Sequence, residues 1–409
     1  MKTATCAIVG AGLAGLSAAE AIRAEGFDGR VLLFGDEPEL PYERPPLSKE
    51  FLRGEVESDR VPLRAPAFYA EHRIEVHMRT RVAHVDVQRR TLEAGKELYT
   101  YDKLLLATGA SPRRLPVAGS DLPGVHYLRT LHDASVLRWA LNSRPRVLAV
   151  GAGFIGCEIA ASARAVGCNV VLLDQILPME RALGPEVGEI YARYHRDRGV
   201  TVKSGVVVTE FRGASRLEEA LLSDGTTVAC DLAVVGIGVT PNVSILPSEL
   251  KTGDGVETDE FCRTEVDDVF AAGDVARSRR PRLGRSIRLE HFENAELQGT
   301  AAGRAMCGKL DPYDPIPFFW SYQYDLDLQY YGVAIEWERV VLRGRPDEGS
   351  FTAFYLDSER LEAACLVNRS RDASAIKRLI GQKSLAIELL GDDSVPLRNL
   401  ELTGASVRQ

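Results

Sequence analysis

The glycine fingerprint G-x-G-x-x-G occurs twice in this chain, as Gly10-Ala11-Gly12-Leu13-Ala14-Gly15 and as Gly151-Ala152-Gly153-Phe154-Ile155-Gly156, the two copies starting 141 residues apart. One copy carries little weight, because glycines cluster by chance in loop-rich proteins. Two copies, each between an apolar run and an Ala-rich amphipathic stretch, confine the chain to an α/β fold with two strand–turn–helix units. In such a unit the first glycine makes the turn and the second lets backbone N–H groups approach a pyrophosphate. The third lets helix and strand pack closely, and the helix N-terminus favours the phosphate charge. The alternative is a tight glycine turn without a ligand. Two working copies imply a chain that holds two dinucleotides and passes electrons between them.

Residues 4–10 predict a strand buried on both faces, 13–23 a helix and 31–34 the next strand. Asp36 and Glu37 follow, where a carboxylate can accept from ribose hydroxyls. The second unit repeats this anatomy, with strands over 147–150 and 169–173 and a helix over 154–166. Asp174 lies 23 residues after Gly151, close to the offset of about 20 at which an acid meets a ribose 2′-OH. Gln175 and Ile176 come next, so no cation stands ready for a 2′-phosphate. That favours NADH over NADPH, a solvated strand-end acid being the alternative.

Composition narrows the function classes. With 409 residues, 45% apolar and 26% charged, the chain has room for two or three soluble domains. It has no apolar run long enough to span a bilayer, and its first residues enter a strand without a charged leader, so a cytoplasmic protein without a membrane anchor is expected. Seven scattered cysteines without a C-x-x-C pair fit a reducing compartment and disfavour a disulfide set, zinc or an internal iron–sulfur cluster. A net charge of −8 disfavours nucleic acid. His72, His77 and His84 have spacings that fit neither a helical nor a strand metal face, so no metal site is expected.

Two further stretches add to the fingerprints. Residues 264–274 read as a strand ending at Ala272-Gly273-Asp274, and 101–109 as another ending at Ala107-Thr108-Gly109. With four motifs in this order, the chain resembles the FAD-dependent pyridine nucleotide-disulfide oxidoreductases of glutathione-reductase-like fold. The resemblance implies an α/β protein with two Rossmann-like dinucleotide-binding domains and a C-terminal α+β domain. Gly10, Gly12, Leu13, Ala14 and Gly15 would hold FAD, with Asp274 on its ribityl chain, and the second fingerprint would hold the nicotinamide nucleotide. No cysteine lies between Cys6 and Cys157, so the thiolate relay of the disulfide-reductase branch is absent. Instead Tyr42-Glu43-Arg44-Pro45-Pro46-Leu47-Ser48-Lys49 resembles the ferredoxin and rubredoxin reductase branch, which serves Rieske dioxygenases and cytochromes P450.

That resemblance implies further roles. Lys49 would lie beside the flavin and pair with Glu158 near N5, the pair shifting when NADH binds; a surface lysine and a helix-start acid are the alternatives. Arg44, next to Pro45, and Arg129 would contact the FAD diphosphate, surface arginines being the alternative, and Val82 the adenine, though a core valine is nearly as good a reading. Gly236-Ile237-Gly238 would line the nicotinamide pocket, and Glu290 and Phe292 would flank flavin and nicotinamide. Trp320 would lie near the flavin edge or simply in a core.

The expected division is an FAD-binding domain from 1–113 and 243–318, an NADH-binding domain at 114–242 and a C-terminal α+β domain at 319–409. Linkers are expected at 111–119 and 240–255, and the C-terminal domain at 339–343, 350–356 (strands) and 373–379 (helix). The expected activity is that of an NADH-dependent ferredoxin reductase, using FAD and NADH to supply a small [2Fe–2S] ferredoxin, as monomer or homodimer. Rubredoxin or nitrite-reductase-type electron supply, or redox sensing of the apoptosis-inducing-factor type, are the alternatives. Six arginines between Arg277 and Arg288 are expected to form a basic loop that docks an acidic ferredoxin, a merely solvated loop or one holding FAD phosphates being the alternatives.

Overall fold

The computed structural model describes residues 4–246, 249–382 and 386–400. Two compact units emerge: one from residues 1–45, 57–111 and 239–315, the other from 46–56, 112–238 and 316–409.

The first unit is built on a five-stranded parallel sheet in the order Val269–Ala271, Lys103–Leu106, Thr5–Val9, Arg30–Phe34, Ile74–His77. Its two central strands are buried from Thr5 to Val9 and from Val31 to Phe34, and apolar from Cys6 and Val31 onward, because both faces are covered. The helices Leu13–Ala24 and Phe292–Met306 pack together so closely that a Cβ on Gly299 would come within 2.2 Å of the Ala14 carbonyl oxygen. A three-stranded antiparallel sheet (Val82–Asp86, Thr91–Ala94, Glu97–Thr100) and a four-stranded sheet that includes Ala276–Arg280 and Arg285–Arg288 complete this unit.

The second unit repeats the parallel arrangement: Val200–Ser204, Asn169–Asp174, Arg146–Val150, Leu232–Val235 and Val125–His126, with the helices Phe154–Ala165 and Glu180–Asp197. Glu180–Asp197 kinks where Gly184 takes φ +80° ahead of Pro185. Also in this unit is a five-stranded antiparallel sheet in the order Phe318–Gln323, Leu326–Gly332, Arg360–Val367, Ser350–Asp357, Arg339–Arg345, followed by the helix Ala373–Leu379.

Three expectations need correction. The strand read over 264–274 is only Val269–Ala271, because Asp268 adopts φ +62° in a turn just before it. Both linkers carry regular structure: the strand Ala110–Pro112 runs into the one read over 111–119, and the one read over 240–255 carries the short strand Thr252–Gly253, while its residues 247 and 248 lie outside the described residues. The basic stretch is no loop but a hairpin in which Arg277 faces Arg288 and Arg280 faces Arg285. Arg280 is only 2% exposed, its Nη2 donating to Asn294 Oδ1 and its guanidinium lying 4.2 Å from the centre of the Tyr313 ring. Arg277 pairs with Glu257, and Arg288 with Asp254 and Glu290. Arg279, Arg282 and Arg285 remain exposed.

Candidate functional site

In each unit the glycine fingerprint lies where a parallel strand ends. In the first, Val9 runs into Gly10, whose φ of +116° would strain any other residue and whose Cβ would strike the Ala107 carbonyl oxygen at 2.0 Å. Gly12 is the N-cap of Leu13–Ala24 and makes no side-chain cap, so the first-turn N–H groups stay available. A Cβ at Gly12 would meet nothing within 4 Å. This is open space before a helix N-terminus, as a pyrophosphate requires.

Around that terminus stand the other residues of this unit. Glu37 accepts from Tyr42 Oη and from Arg44 Nη2, both at 2.6 Å, while Asp36 is exposed. Burial opposes the Arg44 charge, but Tyr42, Glu37 and Asp274 together hold it above the usual guanidinium range. Gly273, at φ +77°, begins the turn that carries Asp274, and its N–H donates to Gln298 Oε1 at 3.0 Å. Thr108 exchanges two 2.8 Å hydrogen bonds with Asn242, which also donates its backbone N–H to the Gly109 carbonyl. Phe292 opens its helix behind the N-cap His291, and Glu290 pairs with Arg288. Val82 is buried in the core beside Val9 and Phe34.

In the second unit Gly151 has φ +95°, Gly153 is the uncapped N-cap of Phe154–Ala165 with open space at its Cβ, and a Cβ on Gly156 would strike the Gly151 carbonyl oxygen at 1.8 Å. Asp174 comes back onto this turn: its oxygens accept from the backbone N–H groups of Ala152 and Gln175, each at 2.6 Å. Ile155 is exposed on the first turn. Gly236 donates to the Val150 carbonyl, and Gly238 accepts from the Arg113 N–H, so the Gly236-Ile237-Gly238 strand end lies beside the fingerprint. Arg129 immediately precedes a capping box formed by Thr130 and Asp133.

Lys49 and Glu158, 109 positions apart in sequence, meet in this unit. Nζ lies 2.9 Å from Oε2, and the two side chains are 5% and 4% exposed. Ser48 Oγ also donates to Oε2, and Ser321 Oγ to Oε1 at 2.7 Å. The adjacent Cys157 is wholly buried, and burial raises its thiol well above the usual range, so it offers no thiolate. Trp320 stacks on Phe318 with 5.8 Å between ring centres.

Sequence reasoning missed Gln298, Asn242, Ser48 and Ser321. Each is a small polar residue whose partner is remote in sequence, and no local pattern marks it.

The family description pyridine nucleotide-disulphide oxidoreductase matches residues 4–299, and that of a reductase C-terminal domain matches 318–401. Putidaredoxin reductase of Pseudomonas putida is 36% identical over 405 residues, 96% of each chain. The ferredoxin–NAD(+) reductase component of the anthranilate 1,2-dioxygenase system of Burkholderia cepacia is 39% identical over 399 residues, 96% of this chain and 98% of that one. Among solved structures, the covalent putidaredoxin reductase–putidaredoxin complex superposes with a TM-score of 0.93 at 33% identity, covering 97% of both chains.

Proposed function

The chain belongs to the pyridine nucleotide-disulphide oxidoreductase family, and from that premise we propose that it is an NADH-dependent ferredoxin reductase that uses FAD. The observation that carries this reading is the pair of open, uncapped helix N-termini at Gly12 and Gly153, one in each unit. Segments 1–113 and 243–318 are assigned to FAD, 114–242 to NADH and 319–409 to the C-terminal domain.

FAD, when bound, accepts a hydride from NADH and returns the electrons singly to a one-electron acceptor. The protein supplies binding, orientation and charge. Backbone N–H groups at Leu13 and Ala14 would meet the FAD pyrophosphate, with Glu37 accepting from ribose and Asp274 from the ribityl chain. Phe154 and Ile155 would offer the corresponding N–H groups to NADH, and Asp174 would set a carboxylate against a 2′-phosphate. Lys49 supplies a buried positive charge held by Glu158, suited to stabilising negative charge on a reduced ring nearby. Val82 and Arg129 stay assigned to the FAD adenine and diphosphate, and Glu290 to the nicotinamide side.

The partner is proposed to be a small [2Fe–2S] ferredoxin in the cytoplasm. Among the described residues, no helix is long and apolar enough to cross a membrane. Because Arg280 is buried, the docking charge falls to Arg279, Arg282 and Arg285. Long-range attraction of this kind raises the encounter rate more than the final affinity. Steady-state reduction of a [2Fe–2S] ferredoxin by NADH should therefore slow as salt rises to about 0.15 M, where screening acts beyond roughly 8 Å. Replacing those three arginines with Ser should raise the ferredoxin KM and flatten the salt dependence. Absence of ferredoxin reduction by the FAD-loaded protein would overturn the assignment; an unchanged KM would overturn only the docking surface.

A further inference from the structure

The hydrogen bonds at Glu158 continue inward. Ser321 Oγ, which reaches Glu158, lies 3.2 Å from Gln323 Nε2. Gln323 Oε1 lies 3.1 Å from His195 Nε2, and His195 Nδ1 lies 2.9 Å from the Tyr324 hydroxyl. Glu158, Ser321, Gln323 and His195 are 3%, 1%, 1% and 0% exposed.

The proton positions follow from valence. Ser321 Oγ donates its single proton to Glu158 Oε1. The Ser321 oxygen then accepts from the Gln323 amide, whose carbonyl is left to accept from His195 Nε2–H. That tautomer leaves Nδ1 as an acceptor, and Tyr324 Oη–H donates to it. Every donor in the chain points toward Glu158. Burial, only partly offset by the Gln323 hydrogen bond, pushes the His195 imidazole down to about 4, so it is neutral at working pH and the direction is kept.

The strand itself argues that this arrangement is selected by more than packing. On Phe318–Gln323, Ser321 faces Leu328 and Gln323 faces Leu326, both leucines being in the core. Apolar residues at these two positions would satisfy the fold, whereas buried polar groups cost free energy unless bonded. The outward positions are held instead by Trp320 and the exposed Tyr322.

We propose that Ser321, Gln323, His195 and Tyr324 are positioning residues, a one-way chain of donors that feeds hydrogen-bond donation into the Glu158 carboxylate and holds it toward Lys49. The C-terminal sheet thus helps to fix the geometry of the pair that the proposed function sets beside the reduced ring, and the inference rests on that reading for its catalytic consequence. Aligned hydrogen bonds polarise one another, so a change at the far end is felt at the carboxylate. The other ionisable groups facing Glu158 are Lys49, Arg53 and the neutral Cys157, and Arg198 faces His195.

The test uses the oxidised FAD-bound protein and two variants, Gln323→Met, which cuts the chain at nearly constant volume, and Tyr324→Phe, a milder change. Difference infrared spectroscopy against pH follows the protonated-carboxyl band that Glu158→Gln removes. The band should appear at higher pH in Gln323→Met by about one unit, a tenfold change in proton affinity, and by a smaller step in Tyr324→Phe. The acid limb of the NADH bleaching rate should move with it. Unchanged carboxyl titration in both folded variants would overturn the chain. A shifted infrared titration with an unmoved bleaching profile would support the chain and contradict the catalytic reading of Glu158.

Discussion

Replacing Lys49 with Met leaves the Glu158 carboxylate buried without its cation. At 2.9 Å and an effective dielectric constant of about 20, the lost attraction is about 6 kcal/mol before desolvation is counted. Desolvation of the lysine offsets part of it, and removing one partner of a buried pair costs about 3–5 kcal/mol in practice. Ser48 and Ser321 still donate to the carboxylate, which places Lys49→Met near the lower end, about 3 kcal/mol. Among the described residues, Glu158→Leu leaves the ammonium with only the 3.4 Å contact to Ser48 Oγ and belongs at the upper end, about 5 kcal/mol. The double variant carries neither charge of this pair. Its residual cost is about 1–2 kcal/mol, from two serine hydroxyls that lack their acceptor. Urea unfolding of all four proteins, with the FAD Kd of each measured so that its linkage contribution is subtracted, should show the double variant more stable than either single one. Additive costs, about 8 kcal/mol in the double variant, would refute a coupled buried pair.

Two further outcomes follow from the structure. Asp174→Asn keeps an acceptor for the Ala152 N–H while removing the charge, so an NADH preference of about tenfold or more should narrow to within about threefold; a native preference for NADPH would contradict the role of Asp174. His195 is neutral in its buried site, its proton affinity falling from the ordinary 6.5 to about 4, so the unfolded chain binds the extra proton. The stability it secures is complete above pH 6.5 and is lost as pH falls to about 4, about 3 kcal/mol in all, and His195→Gln should lack that part of the acid loss in urea titrations; an identical acid profile would contradict it.

The parallel sheets were legible because their signal is local. A buried strand, a glycine turn and an Ala-rich helix sit within about 30 residues of one another, and Thr5–Val9, Leu13–Ala24, Arg146–Val150 and Phe154–Ala165 lie where the fingerprints predict. The helix Ala373–Leu379 is likewise local. The hairpin Ala276–Arg280 and Arg285–Arg288 was not legible, because its arginines lie on inward and outward positions alike and hide the alternation that marks a strand. Phe318–Gln323 inverts the usual pattern, with Ser321 and Gln323 inward and Trp320 and Tyr322 on the other face, so the inward residues read as solvated. The convergence of Lys49 and Glu158 has no local trace at all; only the resemblance of the segment ending at Lys49 pointed to it. Their buried neighbours Ser48, Ser321 and His195 became visible only when strands and helices distant in sequence met.

The central claim is that one chain takes a hydride from one bound dinucleotide and gives electrons singly from the other. Anaerobic stopped-flow mixing of the FAD-loaded protein with one equivalent of NADH, followed by oxidised [2Fe–2S] ferredoxin, tests it directly. The account predicts that NADH bleaches the flavin fully, and that ferredoxin restores the colour with two reduced ferredoxins formed per NADH consumed. A flavin that bleaches with NADH but is not reoxidised by ferredoxin, or one that NADH leaves oxidised, would contradict it.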